Sequence, residues 1–154
     1  MKLNTIATKY IDELSATYEK EEAEAIFQVV LNHVLNFSRA DYVLKKENTI
    51  DAATNQRFEE VLQALKTGKP IQYILGEAYF FGLTFKVNES VLIPRSETEE
   101  LVDWILSASS NQHLSKEINV LDIGTGSGCI AIALQKNMPN AAVFGLDIAE
   151  DTLQ

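Results

Sequence analysis

The segment Asp122-Ile123-Gly124-Thr125-Gly126-Ser127-Gly128 concentrates the residues of this sequence that could do chemistry. Three glycines in alternation after an apolar run permit a tight turn. With no side chains in the way, the backbone there can approach a ligand closely. The turn opens onto the apolar run Cys129 to Leu134, which reads as a helix start, so free N–H groups point into the space above the loop. A second apolar run, Ala142 to Leu146, ends at Asp147, nineteen residues beyond Gly128. A carboxylate at the tip of that strand can accept hydrogen bonds from both hydroxyls of a ribose. The chemistry on offer is recognition of a nucleoside.

These residues need a scaffold that brings the loop and the acid together. Ile118 to Ile123, the glycine turn, the helix, the Pro139-Asn140 turn and Ala142 to Leu146 form one βαβ unit. Runs apolar on both faces suggest a parallel sheet covered on both sides. Upstream, Ser96 with Glu99 predicts a capping box, followed by a helix whose inner face holds Leu101, Val102, Ile105 and Leu106. Val91-Leu92-Ile93-Pro94 before it is extended, because the residue preceding proline is pushed out of the helical region. Glu77 to Phe81 and Leu83 to Val87 predict a β-hairpin around Gly82.

The first 75 residues have a different texture. Leu3, Ile6, Ala7, Tyr10, Ile11 and Leu14 repeat at helical spacing, as do Ile26, Phe27, Val30, Leu31, Val34 and Leu35. Ser38 with Asp41 predicts a capped short helix, and Phe58, Val61, Leu62 and Leu65 mark another that stops before Gly68 and Pro70. Three or four such helices can bury their stripes only against one another or a neighbour. The fold class expected is α/β: a helical bundle, a hairpin linker, then the start of a nucleotide-binding sheet.

Composition narrows the function classes. Of the 154 residues, 46% are hydrophobic and 23% charged, which suits a folded chain and not a disordered one. The net charge of −9 is uneven: residues 1–76 hold nine basic and eleven acidic side chains, whereas 77–154 hold four and eleven. The second part lacks the positive field that draws nucleic acid, so no direct nucleic-acid partner is expected. No apolar run approaches the ~20 residues of a membrane span, and none is expected to bind a membrane. The single cysteine, Cys129, precludes an internal disulfide, and it reads as a small packing residue. Trp104 and the Phe80-Phe81 pair also read as packing residues. His33 and His113 lack metal-ligand spacing, so no metal is expected. A cytoplasmic location is the simplest expectation.

Which nucleoside is bound depends on the glycine spacing. Dinucleotide enzymes favour G-x-G-x-x-G or A, and here Cys129 fills the third place. An NAD-dependent oxidoreductase is therefore the alternative enzyme, and a non-catalytic binding module the alternative outside enzymes. The pattern D-x-G-x-G-x-G instead resembles motif I of the S-adenosylmethionine-dependent methyltransferases. The run Ile93-Pro94-Arg95-Ser96-Glu97-Thr98-Glu99 is similar to the I-P-R-P-E-T-E signature of the release-factor glutamine methyltransferases (the HemK/PrmC family). Gly68-Lys69-Pro70-Ile71-Gln72-Tyr73-Ile74-Leu75-Gly76 and Phe80-Phe81-Gly82-Leu83 resemble that family too, and the likeness is strong over residues 68–148. Ser96 stands where the family usually has proline; both suit a helix start.

The resemblance implies a particular enzyme: one that methylates the N5 side-chain amide of the glutamine in the Gly-Gly-Gln motif of peptide chain release factors, with S-adenosyl-L-methionine as cofactor. It implies a helical substrate-binding domain over 1–75, a hairpin and linker over 76–95, and over 96–154 the incomplete start of a Rossmann-like class I methyltransferase domain. Asp122, Gly124, Thr125, Gly126, Ser127, Gly128 and Asp147 would contact the cofactor, with Asp122 near the methionine amino group and Asp147 on the ribose. Arg95 and Glu97 would stand at the mouth of the active site. The family's catalytic signature, Asn-Pro-Pro-Tyr, does not occur in these residues. An amide nitrogen is a poor nucleophile because its lone pair is delocalised. It must be held in line at roughly 3–3.5 Å, and in the family that signature provides the grip. Methyl transfer by these residues alone is not expected. Two strands and one crossover helix should also leave an apolar face and an edge exposed, as in a piece that is unfolded alone, pairs with another chain, or belongs to a longer protein.

Overall fold

The computed structural model describes residues 1–110 and 118–149. The chain forms two compact units, Met1–Leu75 and Gly76–Gln154. In the first unit, α1 (Leu3–Leu14), α2 (Lys20–Leu35), α3 (Arg39–Lys45), α4 (Ala52–Leu65) and α5 (Ile71–Leu75) follow one another. The apolar stripes meet as expected. Leu3, Ile6, Tyr10, Phe27, Val30, Leu31, Phe58, Leu62 and Leu65 form one buried cluster. A fully buried Leu or Phe of this kind contributes about 1.5–3 kcal/mol of apolar transfer. The aromatic rings meet edge to face, Tyr10 on Phe27 at 5.4 Å between centroids. Tyr10 donates its hydroxyl to the carbonyl of Phe58, so its one polar atom is satisfied inside the core. Burial raises the pKa of that phenol well above the ordinary range.

Local chemistry sets the helix ends. Ser38 and Asp41 form the expected capping box at α3, each side chain accepting the other's backbone N–H at 3.1 Å. Asp51 caps α4 by accepting the Thr54 N–H at 2.8 Å. Asn36 ends α2 in the left-handed region, φ 54°. The fifth helix, α5, has no periodic signature in the sequence. At five residues it is too short to display a period, and it is a turn that Pro70 initiates, its carbonyl accepting the Tyr73 N–H at 3.1 Å.

In the second unit, β1 (Glu77–Phe80) pairs antiparallel with β2 (Leu83–Lys86), with Phe80 opposite Leu83. The two-residue connection has positive φ at both positions, 49° at Phe81 and 74° at Gly82, as a type I′ turn requires. A phenylalanine in that region is strained. The compensation comes from the next helix, α6 (Ser96–Ser110): Glu99 accepts the Phe81 N–H at 2.7 Å. This corrects the expected capping box at Ser96. Glu99 does not turn back to its own helix start, and the Ser96 hydroxyl donates instead to Glu97 at 3.3 Å. The reason is a better use of the carboxylate. A part-buried turn N–H has no cross-strand partner, and a charge-assisted bond satisfies it.

Strands β3 (Ile118–Ile123) and β4 (Ala141–Leu146) lie parallel, joined through α7 (Cys129–Asn137). The register runs from Ile118 opposite Ala141 to Ile123 opposite Leu146. Phe80, Phe85, Val102, Cys129, Ala133 and Leu134 form the core here, with Ile105, Leu106, Val120 and Val143 against it. Two expectations need correction. Leu101 and Trp104 are exposed, Trp104 at 73%, so the inner stripe of α6 is narrower than its sequence suggests. The sheet is not covered on both sides either. Leu121, Ile123, Phe144 and Leu146 are all exposed, because the described helices pack against one face only. The expectation drawn from two strands and one crossover holds in that respect.

Two outcomes test these interactions. In the first unit, Lys45 and Ser38 hold the Asp41 carboxyl well below its usual range, the Thr54 amide lowers Asp51, and lysine partners lower Glu13, Glu47 and Glu59. Depressed folded values mean that this stabilisation is complete above the unfolded carboxylate range, about pH 4, and is lost as pH falls through the folded values. Helicity followed by circular dichroism should therefore fall below about pH 4, and less steeply in Asp41→Asn. In the second unit, Glu99→Ala should lower stability by about 1–2 kcal/mol. Glu99→Gln keeps an acceptor and should lose less; urea unfolding measures both.

Candidate nucleoside-binding site

The loop after β3 is pinned to the end of β4. The N–H groups of Gly124 and Thr125 both donate to the carbonyl of Leu146, at 2.7 and 3.0 Å. Gly128 N–H donates to the Thr125 carbonyl at 2.9 Å and closes the turn. Gly128 is the N-cap of α7, with φ 74° and no side chain to cap the helix. Gly124 and Gly126 have φ of 77° and 54°. A Cβ added at either would meet nothing within 4 Å. Conformation therefore demands glycine at both, and the space their missing side chains would occupy is open.

Two carboxylates flank this loop. Asp147, just after β4, accepts the Gly126 N–H at 2.8 Å on one oxygen and the Ala149 N–H at 3.0 Å on the other. It ties the loop of one strand to the end of its neighbour. Asp122, at the end of β3, accepts the Thr125 hydroxyl at 2.7 Å. Both acids are half-buried, where charge is less screened than in water. The structure thus brings together Asp122, Gly124, Thr125, Gly126 and Asp147 from the residues the sequence nominated. Ser127 and Gly128 complete the turn, with the Ser127 side chain hydrogen-bonded to Cys129. Cys129 itself is buried in the core and its thiol is pushed up by burial, as befits a packing residue.

Arg95 and Glu97 are exposed. Among the described residues, no hydrogen bond or ion pair ties either to the glycine loop. No group of acids, histidines and cysteine suited to a metal ion occurs among the described residues, and His113 lies outside them. Sequence reasoning missed one contributor to the site. Gly145 lacks positive φ, yet a Cβ there would meet Thr125 at 3.0, 3.1 and 3.3 Å. Its signal was legible, because a glycine inside a strand often marks a close approach. Outside the site, the capping-box pattern at Ser96 misassigns Glu99, because no local pattern reveals a partner eighteen residues away.

The arrangement offers acceptors for hydroxyls and for a cation, beside a backbone that a ligand can approach closely. Comparison with known proteins identifies the family. The family described as the PrmC N-terminal domain matches residues 7–76. The release factor glutamine methyltransferase of Flavobacterium psychrophilum is 45% identical, over 99% of this chain and 54% of its own. The protein of that name from Streptococcus pneumoniae is 41% identical over 99% and 53%, and that of Bacteroides thetaiotaomicron 38% over 98% and 52%. The chain spans about half the length of these curated relatives. With this identity along nearly its whole length, the chain belongs to the release factor glutamine methyltransferase family.

Proposed function

We propose that this chain supplies the cofactor-binding front of an S-adenosylmethionine-dependent enzyme that methylates the glutamine side-chain amide, at N5, in the Gly-Gly-Gln motif of peptide chain release factors. One observation carries the reading: Asp147, at the end of β4, lies against Gly126 of the loop that ends β3. Acid and glycine loop meet at the carboxyl ends of adjacent parallel strands, where open α/β sheets bind nucleosides. In this reading the second unit is the start of a Rossmann-like methyltransferase domain. The helical unit over 1–75 and the hairpin and linker over 76–95 help to hold the release factor.

The residues present fit the cofactor. Asp147 accepts the ribose hydroxyls, and the missing side chains of Gly124 and Gly126 leave the ligand room. The N–H groups of Gly124, Thr125, Gly126 and Gly128, expected to be free, instead donate to Leu146, Asp147 and Thr125 and hold the loop in place. Asp122 faces the amino group, and an anion there attracts a ligand whose amino and sulfonium groups are both cationic. When bound, S-adenosylmethionine supplies an electrophilic methyl group on that sulfonium. Arg95 and Glu97 flank the entrance for the protein substrate. The in-line grip on the amide nitrogen is assigned to the Asn-Pro-Pro-Tyr signature that these residues lack, so the activity belongs to the whole protein. A release-factor substrate places the protein in the cytoplasm. Among the described residues no helix is long and apolar enough to cross a membrane.

Calorimetric titration of the full-length protein tests this reading. S-adenosylmethionine should bind and NAD should not. Asp147→Ala should raise the dissociation constant about tenfold or more, the effect of losing a hydrogen bond to a charged group. Tight binding of NAD, or an Asp147→Ala variant that binds S-adenosylmethionine as the parent does, would overturn it. Methyl incorporation into a peptide bearing Gly-Gly-Gln, and its loss on Gln→Ala in that peptide, checks the acceptor.

A further inference from the structure

Thr125 is a buried polar side chain, at 9% exposure. Its position is determined on three sides. Its N–H donates to Leu146 and its carbonyl accepts from Gly128, so its backbone cannot slide along the loop. Its side chain covers Gly145 of β4, where a Cβ would come within 3.0 Å of its hydroxyl oxygen and 3.1 Å of its methyl. Its hydroxyl then donates to Oδ2 of Asp122 at 2.7 Å. Gly145 adopts no left-handed φ, so space and not conformation accounts for glycine there. A threonine hydroxyl has one proton to give, and here it goes to the carboxylate. The bond holds Asp122 in one rotamer and leaves Oδ1 without a donor among the described residues.

We propose that Thr125 is a positioning residue: seated over Gly145, it aims the free oxygen of Asp122 at the amino group of the cofactor's methionine moiety and, buried with its hydroxyl on Asp122, acts through that carboxylate in place of the direct contact expected of it. This rests on the assignment of Asp122 to that amino group. Thr125 therefore acts on the amino-acid end of the ligand, whereas Asp147 acts on the ribose end. A nucleoside without the amino-acid end should be indifferent to the Thr125 hydroxyl.

Two probes, S-adenosylmethionine and 5′-methylthioadenosine, distinguish the outcomes when titrated into the full-length protein. Thr125→Val keeps the shape and removes the hydroxyl. It should weaken S-adenosylmethionine about tenfold, as expected for one charge-assisted hydrogen bond. It should leave the affinity for 5′-methylthioadenosine unchanged. Thr125→Ser should restore the affinity, and Gly145→Ala, which crowds Thr125 without touching Asp122, should reproduce the selective loss. Equal binding of S-adenosylmethionine by the parent and Thr125→Val overturns the proposal. So does an equal loss of both probes, which marks a merely structural role. A parent protein that binds neither probe overturns the cofactor assignment along with it, and one that binds both equally removes Asp122 from the amino group.

Discussion

The site depends on the parallel pairing of β3 with β4. Six residue pairs in register, from Ile118 with Ala141 to Ile123 with Leu146, bring both carboxyl ends to the same level. The glycine loop leaving β3 then meets the chain leaving β4. The Leu146 carbonyl takes two loop N–H groups, and Asp147 takes a third. A slip of one residue would turn every side chain of a strand to the other face and separate the loop from its acid. Apolar residues on the inner face, Val120 and Val143 against the core of α6 and α7, oppose that slip.

The two units are stabilised in different ways. The first closes its own core: Tyr10, Phe27, Phe58 and the leucines around them are buried, and the buried phenol has its acceptor. Polar bonds at its surface, including the Ser38–Asp41 box, refine the helix ends. The second closes one face of a two-stranded sheet and leaves Leu121, Ile123, Phe144 and Leu146 in water. Two strands with a single crossover helix can bury one side only.

The glycines of the site answer to three different demands. Gly124 and Gly126 take left-handed backbone and open space for a ligand, and Gly128 starts α7 from the same region. Gly145 keeps ordinary strand geometry and yields its volume to Thr125. The same residue type thus provides conformation, access and room for a neighbour, and only the surroundings tell which.

Local pattern determined a good deal of this protein. The helical stripes of the first unit, the Ser38–Asp41 box, the hairpin around Gly82, the βαβ order and the spacing from Gly128 to Asp147 are all legible in the chain, because each reflects periodicity or steric preference within a few residues. Tertiary structure decided the rest. It chose Phe81 as the partner of Glu99 over the Glu99 helix start, fitted Thr125 over Gly145, and left Trp104 and one sheet face in solvent. The physical reason is common to these cases. A hydrogen-bonding or apolar group takes the best partner that three-dimensional packing brings within reach, and sequence distance does not say which partner that will be.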